Sequence, residues 1–293
     1  MTDPHLPAVI SERRQLINLA YRLLGSLAEA EDVVQETYAR WYALTDRDRD
    51  AIAVPGAWLT TVAGRICLDL LGSARARREH YVGEWIPEPI PAHTDRPGAP
   101  DPADRITLDE SISMAFLVVL DSMTPAERVS FVLHDVFRYS FAEVADIVGR
   151  TPAACRQLAS SARRRITTAE PPSTTERSEV IRNFKHAWET SDIDALIALL
   201  DPTATATADS GGLAPAFLHP ITGGTQIARA WIEIASRGTR FTLLERTVNG
   251  QPGLVAEQDG VVISVYAFDI ADNRITRIWV IRNPEKLRPW TAG

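Results

Sequence analysis

Along the first third of the chain, apolar positions recur at three- and four-residue steps, the period of one helix face. Leu16, Leu19, Leu23 and Leu24 form such a stripe, which Gly25-Ser26 interrupts. Ala28 to Leu44 then runs without glycine or proline. It places Val33, Val34, Thr37, Tyr38 and Trp41 on one stripe and Glu29, Glu31, Asp32 and Glu36 on the other face. Pro55-Gly56 opens a third predicted helix, Ala57 to Leu71, with Trp58, Leu59, Val62, Ile66, Leu70 and Leu71 as its apolar set.

The helical period returns over residues 108–166. Met114, Leu117, Val118 and Leu120 form a stripe before Met123-Thr124-Pro125. Thr124, with proline next and Glu127 three residues on, is a helix-start signature, and Val129 to Phe137 continues that helix. Ser140 caps a helix over Phe141–Val148, and Gly149 ends it. Pro152 stands in the first turn of a last helix, which runs to about Thr167. Between the two helical stretches lies Ile86–Pro102, where six of 17 residues are proline; this reads as an extended tether. A shorter break covers Glu170–Thr175.

Beyond residue 176 the pattern changes. Helices are predicted over Glu176–Thr190 (core stripe Val180, Ile181, Phe184, Trp188), Ile193–Leu200 and Thr225–Ala235. Phe241–Val248, Gly253–Glu257, Val261–Phe268 and Ile275–Arg282 are β-branched and aromatic, with Asp259-Gly260 and Asp272-Asn273 as hairpin turns. Helices followed by an antiparallel sheet predict an α+β domain. The fold class expected is therefore multidomain: two all-α domains and a C-terminal α+β domain.

A length of 293 residues suits two or three domains, and 45% apolar with 24% charged residues is a globular composition. No 18-residue apolar stretch is present, so no membrane contact is expected. The N-terminus lacks a basic start followed by an apolar run, so a cytoplasmic location is expected. Cys67 and Cys155 form no CxxC pair and no metal-ligand spacing, and read as buried thiols. No metal site and no cofactor are expected.

The net charge of −7 argues at first against a nucleic-acid binder. Its distribution reverses that. Residues 150–165 carry Arg150, Arg156, Arg163, Arg164 and Arg165 without an acid, and Arg75, Arg77 and Arg78 cluster after Gly72. Local patches are what touch phosphates. The segment Ser140–Arg165 is a short helix, a Gly-Arg-Thr turn and a second helix with a basic end: a helix-turn-helix. Val144, Ile147 and Val148 are expected to form the brace, with Ala153, Ala154 and Leu158 packed beneath. Arg156, Gln157, Ser160 and Ser161 then lie toward the base-reading face, where arginine and glutamine bond guanine and adenine edges. Arg163, Arg164 and Arg165 are expected on phosphates. A solvated basic helix in an ordinary bundle, or a conventional helix-turn-helix regulator, are the alternatives.

Residues 11–167 resemble a bacterial sigma factor of the extracytoplasmic-function type in the sigma-70 family. Ala28–Trp41 resembles regions 2.1–2.2, Pro55–Arg78 regions 2.3–2.4 and Met123–Arg165 region 4, in the family's order. The resemblance implies core RNA polymerase as partner, through the β′ clamp helices and the β flap, and promoter DNA with its −10 and −35 elements. It implies polymerase docking at Asp32, Gln35 and Glu36. It implies −10 recognition by Arg65 and Asp69, with loop Ala51–Pro55 helping and Arg75, Arg77 and Arg78 on the backbone. Trp58 could offer a stacking platform, but its spacing with Leu59 and Val62 favours core packing. The expected division is 1–82 for region 2, 83–105 for the linker, 106–170 for region 4 and 176–293 for the extra domain.

Phe184–Leu200 resembles the opening of SnoaL-like domains of the cone-shaped nuclear-transport-factor-2-like superfold. Three short motifs resemble those of sigma factors with such an extension. Trp85-Ile86-Pro87-Glu88-Pro89 is similar to WLPEP, Asp209-Ser210-Gly211-Gly212-Leu213 to DGGGK with two departures, and Asn283-Pro284-Glu285-Lys286-Leu287 to NPDKL with one. The resemblance points to Trp85, Pro87, Asp209, Gly211, Gly212, Asn283, Pro284 and Lys286 as interdomain regulatory residues. Trp85 and its neighbours are expected to dock near Gly211-Gly212 or Asn283–Leu287. Two roles compete for this domain. One is regulation of sigma activity in place of a separate anti-sigma protein. The other is a ligand-binding or polyketide-cyclase-like module, using Asp209 and His219 with Trp188 and Tyr266 as lining, and open to an unknown small ligand. No Ser-His-Asp set or phosphate-cradling loop is present, and no catalytic residue is assigned.

Overall fold

The structure, a computed structural model, describes residues 6–78, 81–92, 112–166, 173–236 and 241–291, with backbone alone for 6–11 and 74–78. The chain forms two compact units. Met1–Glu79, Pro100–Thr107 and Leu117–Thr167 make the first; His80–Ala99, Leu108–Phe116 and Thr168–Gly293 make the second. Among the described residues no helix is long and apolar enough to cross a membrane.

Among the described residues the regular structure of the first unit is helical. It contains α1 (Leu6–Leu24), α2 (Leu27–Tyr42), α3 (Asp46–Asp50) and α4 (Pro55–Arg78), then the end of α5 (Met114–Asp121), α6 (Pro125–Phe131), α7 (Phe141–Val148) and α8 (Pro152–Arg163). Local chemistry sets the boundaries. Ser26 accepts from the Glu29 amide to start α2, and Thr124 with Glu127 and Ser140 with Glu143 form reciprocal capping boxes at α6 and α7. Gly149, at φ 68°, ends α7 in the left-handed region. The predicted leucine stripe is the core: Leu16, Leu19, Leu23 and Leu24 are buried with Val33, Val34, Trp41 and Leu59. Each such leucine contributes about 1.5–3 kcal/mol through burial. Trp58 packs edge-on against Trp41, at 5.3 Å between ring centroids.

The structure departs from the sequence reading in several places: α3 is a helix that the sequence pattern does not predict, and α4 runs on to Arg78 rather than ending at Leu71. The helix expected through Phe137 changes to a π-helical turn over Val132–Val136, and Arg138 follows at φ 64°. The wider turn lets the Tyr139 amide reach the Leu133 carbonyl and turns the Tyr139 phenol toward α4. On α8 the buried positions are Cys155, Ala159 and Ala162, while Ala153 is exposed and Ala154 and Leu158 are half-buried. The packing stripe is thus rotated from the one expected, because small side chains let α8 lie close against α6.

The second unit places α9 (Thr174–Glu189), α10 (Ile193–Leu199) and α11 (Gly224–Ser236) with a six-stranded sheet of order β2-β1-β6-β5-β4-β3. The strands are β1 (Leu200–Asp209), β2 (Ile221–Thr222), β3 (Thr242–Val248), β4 (Gln251–Gln258), β5 (Val261–Ala271) and β6 (Arg274–Ile281). β1 and β6 run parallel and the other neighbours antiparallel. Asp259-Gly260 and Asp272-Asn273 both have positive φ, as tight hairpins of twisted strands require. Phe184, Trp188, Trp231 and Phe268 meet in the core, with ring centroids 5.6–6.3 Å from Phe184. The α+β class is as expected. β1 is a ten-residue strand that the sequence pattern does not predict, since its alternating Thr and Ala residues lack the β-branched apolar signature. Ala204, Ala206 and Ala208 face the core, where small side chains admit α11.

The expected tether is no solvated spacer over its described part. Ile86 to Pro91 are all buried in the second unit, Ala92 is half-buried, and residues 93–102 lie outside the described residues.

Candidate functional site

Two sets of side chains stand out, one in each unit. In the first, α7, the Gly149 turn and α8 form the expected helix-turn-helix. Thr151 caps α8 by accepting from the Ala154 amide at 3.2 Å. With Cys155, Ala159 and Ala162 buried, α8 exposes Arg156, Gln157, Arg163 and Arg164. The Arg156 guanidinium lies 5.2 Å from the Phe141 ring centroid, a cation–π contact that orients it. Ser160 is half-buried. Ser161, expected on the base-reading face, instead donates to Glu127 Oε1 at 2.8 Å, since it lies one step round the helix from the exposed stripe. Arg163 forks onto the Asp135 carboxylate (2.6 and 3.1 Å). Arg165 donates to the Ser122 carbonyl at 2.7 Å and lies 3.5 Å from Glu127.

Asp32, Gln35 and Glu36 share the exposed face of α2, opposite buried Val33, Val34 and Thr37. Glu36 pairs with Arg40 one turn on, at 2.8 Å. On α4, Arg65 and Asp69 are exposed one turn apart. The side chains of Arg75, Arg77 and Arg78, on the same helix, lie outside the description. Arg65 Nη2 donates to the Asp146 carbonyl of α7 at 2.8 Å. Gly64, beside it, has Ile147 packed so closely that a Cβ would stand 2.8 Å from Ile147 Cγ2. Tyr139 donates to Thr60 Oγ1 at 2.9 Å, and buried Arg128 donates to the Leu23 carbonyl at the end of α1 and to Asp121, both at 2.8 Å. The carbonyls of a helix's last turn lack intrahelical partners, so Arg128 satisfies one of them. The helix-turn-helix and the first four helices are therefore packed together. Sequence reasoning missed Gly64, Thr60, Arg128 and Tyr139, because nothing local marks a contact 80 residues away.

In the second unit the three short motifs converge on one carboxylate. Asp209, fully buried at the end of β1, accepts four hydrogen bonds. Oδ1 takes the Tyr81 hydroxyl (2.6 Å) and the Gly211 amide (3.1 Å); Oδ2 takes the Ile86 amide (2.9 Å) and Lys286 Nζ (2.6 Å). Lys286 also donates to the Ile86 carbonyl and sits 4.2 Å from the Trp85 ring centroid. Asn283 Nδ2 donates to the Tyr81 hydroxyl at 2.8 Å, and its own carbonyls close the turn through the Glu285 and Lys286 amides. Gly211, at φ 58°, admits this contact; a Cβ there would lie 2.5 Å from Asn283 Nδ2. Gly212 accommodates Val82 in the same way. Burial, first, and the bond to Asp209 push the Tyr81 phenol well up, so it stays a donor.

Further along, Ile90 exchanges two backbone-directed bonds with Asn249, Pro91 bridges Val248 at the sheet edge, and Trp290 Nε1 donates to the Pro89 carbonyl at 2.8 Å. Pro87 is buried within this strap; Pro284 and Leu213 are exposed. Tyr81, Asn249 and Trp290 were not anticipated from the sequence, although the Asn249-Gly250 dipeptide is itself a turn signal.

The enzymatic pairing considered for this domain does not assemble. Asp209 is bonded to the strap, and His219 is exposed on the loop before β2. Ala208, which precedes Asp209, lines a cavity whose lining does not include Asp209 or His219. Tyr266 lines that cavity, while Trp188 packs against it from the core, at 5.3 Å between ring centroids. Among the described residues no cluster of metal-ligating side chains is found.

Residues 9–77 match the Sigma-70 region 2 family and residues 113–166 the Sigma-70, region 4 family. The chain is 38% identical over 289 residues to "ECF RNA polymerase sigma factor SigJ" of Mycobacterium tuberculosis, covering 94% of this chain and 90% of that one. It is 34% identical over 297 residues to "Probable ECF RNA polymerase sigma factor SigI" of the same species, covering 99% and 97%. The crystal structure of the M. tuberculosis extracytoplasmic function sigma factor SigJ is similar throughout, with a TM-score of 0.77, 35% identity and coverage of 97% and 98%. With two sigma helical modules in order and an α+β domain after them, the chain belongs to the ECF sigma factors of the sigma-70 family.

Proposed function

We propose that this sigma factor is regulated by its own C-terminal domain, which acts in place of a separate anti-sigma protein by holding the linker between the two DNA-reading modules. The observation that carries the reading is the Asp209 carboxylate, which accepts from Tyr81, Ile86 and Lys286 together. A linker so held cannot extend, and the two modules must separate to span a promoter.

In this reading residues 1–82 dock on the β′ clamp helices and capture the −10 element, 106–170 bind the β flap and read the −35 element, and 176–293 regulate. Asp32, Gln35 and Glu36 offer an acidic docking face. Arg65 and Asp69, with Arg75, Arg77 and Arg78, serve the −10 element. Arg156 and Gln157 read bases, and Arg164 holds phosphate. Arg65 is bonded to the Asp146 carbonyl, so promoter capture requires region 4 to part from region 2. The second unit has no catalytic role in this reading, since its buried carboxylate is consumed by the strap. The protein works where the polymerase is, in the cytoplasm.

The test is transcription in vitro with core polymerase, comparing the full chain with chains ending at residues 170 and 282. Altered promoter output in both truncations is expected. Equal output from all three would overturn the regulatory role, and tight sequence-specific DNA binding without polymerase would favour a conventional regulator.

A further inference from the structure

The second unit encloses a cavity of about 640 Å³ between α11, the sheet and the loop before β2. That is within the range of about 300–1,000 Å³ usual for small-molecule sites. Its walls are largely apolar, with Phe217, Trp231, Phe241 and Ile263 prominent. The polar and charged groups are few: Glu233, Ser264, Tyr266 and Arg282.

These groups are biased toward donation. Among the described residues nothing accepts from the buried Trp231 Nε1 or Arg282 Nε. Neither indole nor guanidinium can accept, so their partner must be an atom with a lone pair, supplied by water or by a ligand that displaces it. Arg282 Nη1 is anchored on the Pro215 carbonyl, which fixes the fork. Burial holds the Tyr266 phenol in its protonated form, with Ser264 and Arg282 acting in the opposite sense beside it. Glu233 is exposed at the rim, where water screens its charge. A cation is disfavoured by Arg282, and a wholly apolar ligand leaves the buried Arg282 Nε unsatisfied.

We propose that this cavity binds an apolar, ring-sized organic acid whose oxyanion is received by Arg282 Nε and the neighbouring Ser264 and Tyr266 hydroxyls. The proposal deepens the regulatory reading and rests on it, because such a ligand would be the signal the domain senses. Arg282 is joined to the linker clasp through its backbone amide, which donates to the Asp209 carbonyl at 2.7 Å.

Calorimetric titration of the full chain with 2-naphthoate and its neutral counterpart 2-naphthamide tests the binding without polymerase. The expected result is 2-naphthoate preferred by about tenfold or more. Arg282→Gln should abolish that preference while leaving 2-naphthamide binding unchanged. Ala230→Trp should block both compounds; Ile263→Trp, filling the opposite wall, serves if the first variant does not fold. Absence of binding to the folded parent chain, binding without charge preference, or binding undiminished in a folded filled-cavity variant each overturns the proposal. Any of these, alongside altered transcription from the chain ending at residue 170, would leave the regulatory reading standing.

Discussion

Lys286 and Asp209 meet at 2.6 Å, both buried, one from the turn after the last strand and the other from the end of the first. The linker backbone enters between them, its Ile86 amide on the carboxylate and its Ile86 carbonyl on the ammonium. A buried pair gains little net stability over an apolar pair, because both charges are desolvated. Removing one partner is different, since the other charge stays buried. Lys286→Met should therefore destabilise the second unit by about 3–5 kcal/mol, read by urea denaturation, and expose the Trp85–Pro91 strap to proteolysis. Unchanged stability and unchanged cleavage would show that the pair does not hold the strap.

Gly64 lets Ile147 of the helix-turn-helix touch the backbone of α4. Gly64→Val should cost the first unit about 1–3 kcal/mol by overpacking. Ile147→Ala in the same chain should recover part of that cost, because the methyl in conflict, 2.8 Å from the new Cβ, is removed. A double-mutant cycle measures the coupling, and strict additivity would mean that the junction has relaxed elsewhere.

Arg156 on α8 and Arg164 at its C-cap are both exposed, and the Phe141 ring orients Arg156. Arg156→Ala should cost about 1–3 kcal/mol at one base pair of the −35 element and relax preference there. Arg164→Ala should weaken all promoters alike and reduce the salt slope by about 1. Binding of the holoenzyme to promoter variants over a salt series separates the two; the opposite pattern would mean the recognition face is rotated.

Glu127 sits at the start of α6. Burial pushes its carboxyl up, but the Thr124 amide, the Ser161 and Thr124 hydroxyls and Arg165 outweigh this and hold it below the ordinary 4.5. A group depressed in the folded state contributes stability that is full above its unfolded value and is lost as pH falls through the folded one. Glu127→Gln should therefore lower stability at neutral pH and flatten its decline below pH 4.5. Parallel stability–pH curves for parent and variant below that pH would contradict the assignment.

Most helices of the first unit were legible in the sequence, since caps and stripes are local; the short α3 and the π-helical turn were not. Ser140, Gly149 and Thr124 act on neighbours within five residues, and Leu16, Leu19 and Leu23 mark a core face by spacing alone. The hairpins at Asp259-Gly260 and Asp272-Asn273 were legible for the same reason. The sigma-type motifs, and the Trp85, Asp209 and Lys286 motifs, were recognisable as separate strings.

Their meeting was decided in three dimensions. That Tyr81, Ile86 and Lys286 all donate to one carboxylate depends on β1 running parallel to β6, which brings Asp209 level with Ile281 and so beside Asn283. β1 itself was illegible, because its Thr–Ala alternation becomes a strand only when α11 covers the alanines. Likewise Ser161 and Arg163, alike in sequence to surface groups, are drawn to Glu127 and Asp135 once α6 and the π-helical turn after it lie beside α8. Propensity and capping act over a turn or two of chain, and they set the elements. The hydrogen bonds from Lys286 and Tyr81 to the buried Asp209 carboxylate join residues 77 and 128 positions apart, so only the packed fold determines them.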